Sequence, residues 1–188
     1  YGERIMNEIS RRKILKSAAI GTGALTISAP AIAQNKYNWK MVTTWPKNFP
    51  GLGTSANRLA KRIGEASDGK LNIKVYGAGE IVPAYEVFDA VRNGVAEMGH
   101  DSPYYWLAKH PATSFFSTVP AGLSAVEQTT WLLYGGGQEL WDELYSNFGL
   151  KSFPAANAGL QMLGWYSKEI NSIKDLKGMK IRMSGMHA

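Results

Sequence analysis

The chain has 188 residues, of which 45% are hydrophobic and 19% are charged, a composition typical of a folded globular protein. Half of its formal net charge of +6 comes from the first 33 residues; the rest of the chain carries 16 basic and 13 acidic residues, too small an excess to indicate a nucleic-acid partner. The absence of cysteine excludes disulfides, thiolate metal sites and a cysteine nucleophile.

Residues 1–33 have the features of a signal peptide of the twin-arginine type. Arg11 and Arg12 precede a modestly apolar, alanine- and glycine-rich stretch, and Ala31-Ile32-Ala33 predicts cleavage before Gln34. The stretch is too short and too weakly apolar for a permanent membrane span. We therefore expect export to the periplasm by the twin-arginine translocase. The general secretory route is the alternative.

The pattern from residue 37 to residue 100 predicts alternating strands and helices. β-branched and alternating apolar residues indicate strands at 37–45, 71–75 and 96–100. Apolar residues three or four apart indicate helices that begin near Thr54 and Ala84. This alternation is typical of a parallel sheet covered by helices, so the fold class is α/β.

The second half of the chain predicts two helices followed by short strands. Ser124 and Glu127 form a capping-box pattern at the start of a helix that runs to Tyr134, and a helix over 138–148 follows three glycines. Strands are predicted at 150–153, 160–166 and 179–183. Ser172 is expected to cap a short turn. Because the chain stops as a strand ends, we expect it to be truncated.

Several stretches resemble the periplasmic solute-binding proteins of tripartite ATP-independent periplasmic (TRAP) transporters, in particular the 2-oxo-acid and monocarboxylate binders. They are Trp39–Trp45, Gly77–Pro83 with Tyr85–Val87, Ser102–Trp106, Asn157–Trp165 and Glu169–Met183. The resemblance implies a periplasmic-binding-protein fold of two lobes with parallel or mixed sheets and flanking helices. It also implies that residues 34–155 are lobe 1 and that residues 156–188 are crossing strands and the truncated start of lobe 2.

The resemblance implies a binding protein and not an enzyme. Such a protein captures a small organic carboxylate, a 2-oxo acid such as pyruvate or a lactate-like acid, and delivers it to the membrane subunits of a TRAP transporter. It implies no organic cofactor, but a Na⁺ or Ca²⁺ ion that bridges to the substrate carboxylate. A homodimer is compatible with this class.

Arg182 and Gln161 are the first two candidate site residues. A guanidinium offers two parallel donors to a carboxylate, although the spacing alone slightly favours a solvated strand arginine. The resemblance implies that Arg182 clamps the substrate. Gln161 stands in an apolar segment predicted as a strand, where an unsatisfied amide is costly. The resemblance makes it both a substrate contact and one ligand of the metal, with the other ligands beyond Ala188.

Asn157, Tyr104 and Tyr105 complete the predicted substrate site. Asn157 can donate a hydrogen bond to the ligand or serve the geometry of a turn. The two tyrosines, with Trp106, can line the cleft or belong to the core. Trp45 follows the first strand, at the end where ligands of open α/β sheets bind, and is a further candidate for covering the cleft.

The alternative function is an exported hydrolase that acts on a small carboxylic acid derivative. His100 beside Asp101 has the composition of a base with an orienting carboxylate, although such a pair is more often a strand end followed by a helix cap. No metalloprotease, serine-hydrolase or P-loop motif is present. The absence of internal repeats disfavours a structural module.

Overall fold

The computed structural model describes residues 35–159, 161 and 164–182. The signal peptide predicted at 1–33 lies outside these residues, as do Leu160, Met162, Leu163 and Met183 of the predicted later strands. Across the described ranges, no helix combines the length and apolar character needed to cross a membrane.

Three parallel strands form the sheet. They are β1 (Tyr37–Thr43), β2 (Leu71–Tyr76) and β3 (Met98–His100), in the spatial order β2-β1-β3. Met41 pairs with Val75 on one side and with Met98 on the other, so the middle strand is the first one in the chain. Both pairings are parallel, which confirms the sheet predicted from the alternation of strands and helices.

The described residues also form four α-helices and four short 3-10 helices. The α-helices are α1 (Leu52–Ala66), α2 (Val87–Arg92), α3 (Ala125–Tyr134) and α4 (Gly137–Ser146). The 3-10 helices are Ala84–Glu86, Pro103–Trp106, Pro111–Phe116 and Ile173–Leu176. All four α-helices lie where the sequence predicts them, within a few residues at each end.

The helices of the first half cover the sheet closely. α1 packs against β2 and buries Ala56 and Ala60 completely or nearly so. α2 packs against β3 at Gly99, where an added Cβ would lie 2.9 Å from Cγ1 of Val87. Glycine is therefore required at this point, because the helix approaches the strand too closely for a side chain.

Aromatic rings attach the second half to this sheet. Phe88 of α2 contacts Trp106 and Tyr145, with ring centroids 5.3 and 5.8 Å apart. Phe116 and Trp141 stack almost in parallel, 5.3 Å apart. All five side chains are 7% exposed or less, so one continuous aromatic core joins α2, α4 and the intervening 3-10 helices.

Local signals for helix starts are confirmed. The Ser124 backbone N–H donates to the Glu127 carboxylate at 2.8 Å, and the Glu127 N–H donates back to the Ser124 hydroxyl. A second capping box joins Ser172 and Asp175 at the predicted turn, which is a 3-10 helix. Both boxes satisfy backbone donors that a helix start leaves unpaired.

The strands predicted in the last part are wrong for the residues that the structure describes. Residues 150–153, 161, 164–166 and 179–182 lie outside any strand, and Phe153 and Trp165 are 70% and 98% exposed. A strand forms only beside a neighbour that accepts its hydrogen bonds, and these segments pair with none of β1 to β3. Their assignment to crossing strands and a second lobe stays a prediction.

Candidate functional site

The carboxyl ends of β1 and β3 lie side by side. Thr43 pairs with His100 in the register, and the N–H of Thr44 donates to the His100 carbonyl at 3.2 Å. From β1 the chain continues through α1 to β2 on one side, whereas β3 lies on the other side. Ligands of open α/β sheets bind at such a reversal of strand order, outside the carboxyl ends.

Trp45 and His100 meet at this point. The Trp45 indole Nε1 donates to Nδ1 of His100 at 2.8 Å, and the two rings contact edge to face. Both side chains are nearly buried, at 7% and 6% exposure. Burial lowers the pKa of His100 below its usual 6.5, so the imidazole is neutral at neutral pH.

Three tyrosines extend this pair into an aromatic wall, defined here as Trp45, Tyr85, Tyr104 and Tyr105. Tyr105 is at its centre, with ring centroids 6.0 Å from Trp45, 5.3 Å from Tyr85 and 4.5 Å from Tyr104. Tyr104 and Tyr105 are half-buried, whereas Tyr85 is exposed. The neighbouring Trp106 is buried at 2% exposure, so it belongs to the core.

Arg182 lies near the aromatic wall. Burial raises the pKa of Tyr105, the adjacent Tyr104 raises it further, and the Arg182 guanidinium opposes the rise. The side chain of Arg182 is exposed. Tyr104 and Tyr105 are in ring contact, and Arg182, almost 80 positions later in the chain, is within electrostatic reach of Tyr105.

The other two predicted residues have exposed side chains. The side-chain oxygen Oδ1 of Asn157 accepts from the N–H of Gly159 at 2.6 Å. This local turn is the alternative role that the sequence leaves open for Asn157. Gln161 lies outside any strand. The prediction that the Gln161 amide is buried in an apolar strand is therefore wrong. An exposed amide carries no desolvation cost. Its proposed contacts with substrate and metal do not depend on that burial.

The described residues do not form a metal site by themselves. Within the ranges 35–159, 161 and 164–182, no three histidine or acidic side chains lie together as a ligand set. Gln161 is a neutral oxygen donor of the type that Na⁺ and Ca²⁺ accept. The chemistry of this single donor fits such an ion, but it supplies one ligand only.

The hydrolase alternative loses its candidate base. Nδ1 of His100 is occupied by Trp45, and no hydrogen bond joins His100 to the Asp101 carboxyl in the part of the chain that the structure describes. Asp101 instead lies beside Trp106 and Tyr145, and burial raises the pKa of its carboxyl to about 6. A carboxylate that does not contact the histidine cannot orient it as a general base.

Two concavities lie elsewhere on the surface. One, of about 560 Å³, lies between α1 and β2 and includes Asn57 and Lys74. The other, of about 570 Å³, is lined mainly by apolar side chains of α3, α4 and the preceding loop, among them Phe115 and Leu140. Neither of these two concavities is lined by Tyr104, Tyr105 or Arg182.

The sequence alone does not identify the bond between Trp45 and His100, or the place of Tyr85 in the aromatic wall. The signal was present in part, because Trp45 and His100 are the last residues of two predicted parallel strands. Only the strand order, which places β3 directly beside β1, turns that coincidence into a contact.

Comparison with known proteins gives relatives of one kind. The chain is 40% identical over 186 residues to a monocarboxylate 2-oxoacid-binding periplasmic protein of Nostoc sp. (strain PCC 7120), covering 95% of this chain and 51% of the relative. The chain therefore spans about half the length of that protein.

Solved structures agree with this likeness. A TRAP periplasmic solute-binding protein from Pseudoalteromonas atlantica T6c, with bound sodium and pyruvate, is 47% identical with a TM-score of 0.76. One from Colwellia psychrerythraea, with bound calcium and pyruvate, is 46% identical with the same TM-score. Each comparison covers 80% of this chain and 46% of the other.

A TRAP transporter solute-binding protein from Bordetella bronchiseptica RB50, a mixed-occupancy dimer with calcium and picolinate, is 38% identical with a TM-score of 0.77, over 80% of this chain and 45% of the other. The family model for bacterial extracellular solute-binding proteins, family 7 (DctP), matches residues 41–187. These matches confirm the α/β binding-protein fold and the non-enzymatic class that the sequence predicts: the chain belongs to family 7 of the bacterial extracellular solute-binding proteins.

Proposed function

We propose that the protein captures a small organic carboxylate in the periplasm and delivers it to the membrane subunits of a TRAP transporter. The substrate is a 2-oxo acid such as pyruvate, or a lactate-like acid. The relatives from Pseudoalteromonas and Colwellia hold pyruvate, and the Nostoc relative is a 2-oxoacid-binding protein, which supports this substrate class.

The electrostatic interaction of Arg182 with Tyr105, which contacts Trp45 just after β1, carries the proposal. A guanidinium within electrostatic reach of a phenol offers a permanent positive charge and a neutral hydrogen-bond donor to one ligand. A 2-oxo acid presents a carboxylate for the first and an oxo oxygen for the second. In this scheme Tyr104, Asn157 and Gln161 supply further contacts.

We propose that Na⁺ or Ca²⁺ accompanies the substrate, with Gln161 as one ligand. The ion offsets the charge of the carboxylate and bridges to its oxygens. The sodium and calcium found with pyruvate in the Pseudoalteromonas and Colwellia relatives support this assignment. An amide oxygen is a hard donor suited to either ion.

We also propose that residues 1–33 direct export through the twin-arginine translocase and are removed before Gln34. The paired Arg11 and Arg12 support this route. Replacing both with lysine should leave the precursor in the cytoplasm, and unchanged export would refute the route. A homodimer, of which the Bordetella protein is one example, is testable by analytical ultracentrifugation.

Calorimetric titration of the complete protein with pyruvate, in sodium and in calcium buffers, tests the proposed function. We expect saturable binding without turnover. Arg182→Ala should weaken binding by about 100-fold, because the carboxylate loses a charged bidentate partner. Arg182→Lys should recover only part of that loss, since an ammonium keeps the charge but not the two parallel donors.

Lys180→Ala is the matched control. Lys180 lies two residues earlier, is exposed in the same way and carries the same charge. Its replacement should leave the dissociation constant within about twofold of the wild-type value if general electrostatics are not responsible. Equal losses in the two alanine variants would refute a specific clamp, and no heat with any small carboxylate would refute the function.

A further inference from the structure

His100 is a buried neutral histidine whose hydrogen-bonding state is determined by a single neighbour. The indole Nε1 of Trp45 has only a proton to give, so Nδ1 of His100, 2.8 Å away, is the acceptor. The imidazole proton therefore resides on Nε2. Nε2 is itself buried and finds no hydrogen-bond partner among the described residues, so the bond to Trp45 orients the ring.

The backbone of Trp45 is held as firmly as its side chain. Its carbonyl accepts from the N–H of Ala78 at 2.8 Å and from the hydroxyl of Thr43 at 2.9 Å. Ala78 belongs to the loop after β2 and Thr43 to β1, so β1 and the loop after β2 together position Trp45. With the backbone fixed, the indole can still rotate about its side-chain bonds. The hydrogen bond to His100 prevents that rotation.

The orientation of the Trp45 ring affects the site through Tyr105. The Trp45 and Tyr105 rings are in tilted contact, with centroids 6.0 Å apart. Tyr105 in turn contacts Tyr104 at 4.5 Å and lies within the electrostatic reach of Arg182. A rotation of the indole would displace the phenol that the proposed function assigns to the oxo oxygen.

We propose that His100 is a positioning residue for carboxylate binding, which acts by accepting the Trp45 hydrogen bond and so fixes the aromatic wall. This role rests on the proposed function. It requires the neutral ring, because a proton on Nδ1 would face the Trp45 N–H and break the bond. Binding should therefore weaken in acid, but only below the usual histidine pKa of 6.5, because burial lowers the pKa of His100.

Other titratable and charged groups lie close to this pair. Asp101, next in the chain, has a carboxyl pKa of about 6 and titrates in the same interval. The Tyr85, Tyr104 and Tyr105 phenols stay neutral in acid, and Arg182 keeps its charge. The pH dependence is therefore measured in the Asp101→Asn background, which removes the one carboxyl beside His100 that would overlap.

Two substitutions separate the hydrogen bond from simple packing. In His100→Asn the amide oxygen can take the place of Nδ1 as an acceptor, whereas His100→Leu fills similar space without one. We expect His100→Leu to raise the dissociation constant for pyruvate about fivefold to tenfold, the effect of one lost hydrogen bond. His100→Asn should stay within about threefold of wild type and, in the Asp101→Asn background, should show no fall in affinity in acid.

A double-mutant cycle tests whether the effect passes through Trp45. Trp45→Phe keeps a ring but removes the N–H, so it should weaken binding about as much as His100→Leu does. Adding His100→Leu to Trp45→Phe should then cause no further loss. His110→Asn is the control for changing a histidine, because His110 is exposed and caps the 3-10 helix at Pro111–Phe116.

The outcomes separate this role from the proposed function. Wild-type binding of pyruvate with unchanged affinity in His100→Leu overturns the role of His100 alone, as do additive losses in the cycle. Equal losses in the Asn and Leu variants would show packing rather than hydrogen bonding. If the leucine variant fails to fold, a flat pH profile in the Asp101→Asn protein overturns the role. Wild-type protein that binds no carboxylate refutes the proposed function.

Discussion

Replacing Asp101 with asparagine should stabilise the folded protein at neutral pH. Asp101 follows β3, is half-buried and lies beside Trp106 and Tyr145. Burial raises the pKa of its carboxyl from 3.8 to about 6, while the Trp106 indole partly opposes that rise. The negative charge also contributes to a raised pKa of the Tyr145 phenol. An amide of the same shape avoids burying that charge.

The size of the effect follows from the difference in pKa between the folded and unfolded chains. Each unit corresponds to about 1.4 kcal/mol, so a rise of about two units destabilises the ionised folded state by at most about 3 kcal/mol. The side chain retains some contact with water, and we therefore expect a gain of about 1–2 kcal/mol for Asp101→Asn.

The sign of the pH dependence is determined by the raised pKa. Well below pH 3.8 both states are protonated and Asp101 contributes no penalty. Between pH 3.8 and about 6 the folded chain keeps a proton that the unfolded chain has lost, so the contribution of Asp101 to stability falls as the pH rises. Above about pH 6 the full penalty is present.

Urea unfolding at pH 4, 5.5 and 7.5 measures this contribution as the difference between the variant and wild type. The difference should be small at pH 4 and reach about 1–2 kcal/mol in favour of asparagine at pH 7.5. Because folding lowers the pKa of His100, its contribution to the free energy of unfolding falls as the pH falls through 6.5. This change occurs in both proteins and cancels in the difference between them.

Asp142→Asn is the control of opposite sign. The ammonium of Lys151 lowers the pKa of the Asp142 carboxyl, so removing that charge should destabilise the protein at neutral pH. For Asp101, a difference that is the same at all three pH values would refute electrostatic burial as the cause. An asparagine variant less stable than wild type at pH 7.5 would refute it as well.

Two further predictions concern the scaffold. Gly99→Ala should destabilise the protein by about 1–3 kcal/mol in urea unfolding, because the new methyl lies 2.9 Å from Val87. Gly64→Ala in α1, where the new methyl lies 3.7 Å from the backbone oxygen of Leu71, should instead stabilise by up to about 1 kcal/mol. Equal effects of the two substitutions on stability would contradict the close approach of α2 to β3 at Gly99. Ser124→Ala should lower stability by about 1 kcal/mol through loss of the capping box with Glu127, and Ser124→Asp, which keeps an acceptor, should largely retain it.

The fold of the first half was predictable because its signals are local or nearly so. The alternation at Leu71, Ile73 and Val75 indicates a strand, and β2 begins at Leu71. The alternation of helices and strands between residues 37 and 100 then favours a parallel sheet covered by helices. The Ser124 cap depends on residues three apart, so it too is visible in the sequence.

The strands predicted after residue 149 fail for a physical reason. Alternation shows only that one side of a segment is apolar, and it does not supply a neighbouring strand. Met179 and Ile181 are half-buried while Lys180 and Arg182 are exposed, so the predicted alternation of faces is present without a strand. Hydrogen bonding to a partner decides whether such a segment becomes a strand.

The candidate site, like the fold, was predictable from the sequence only in part. Tyr104, Tyr105 and Arg182 were predicted as members of one substrate site, and the electrostatic reach of Arg182 to Tyr105 depends on a chain path that no local pattern encodes. The bond between Trp45 and His100 depends on β3 lying beside β1 in the register Thr43 to His100. A shift of one residue would turn His100 to the opposite face of the sheet.

The two sides of the candidate site differ in how firmly they are held, and this bears on binding. Trp45 is buried and held by Ala78, Thr43 and His100, so its orientation exists before any ligand arrives. Arg182 extends from an exposed segment outside the sheet, and ordering its long side chain costs free energy on binding. Substitutions in the wall should therefore change a preformed surface, whereas substitutions near Arg182 should change the cost of completing the site.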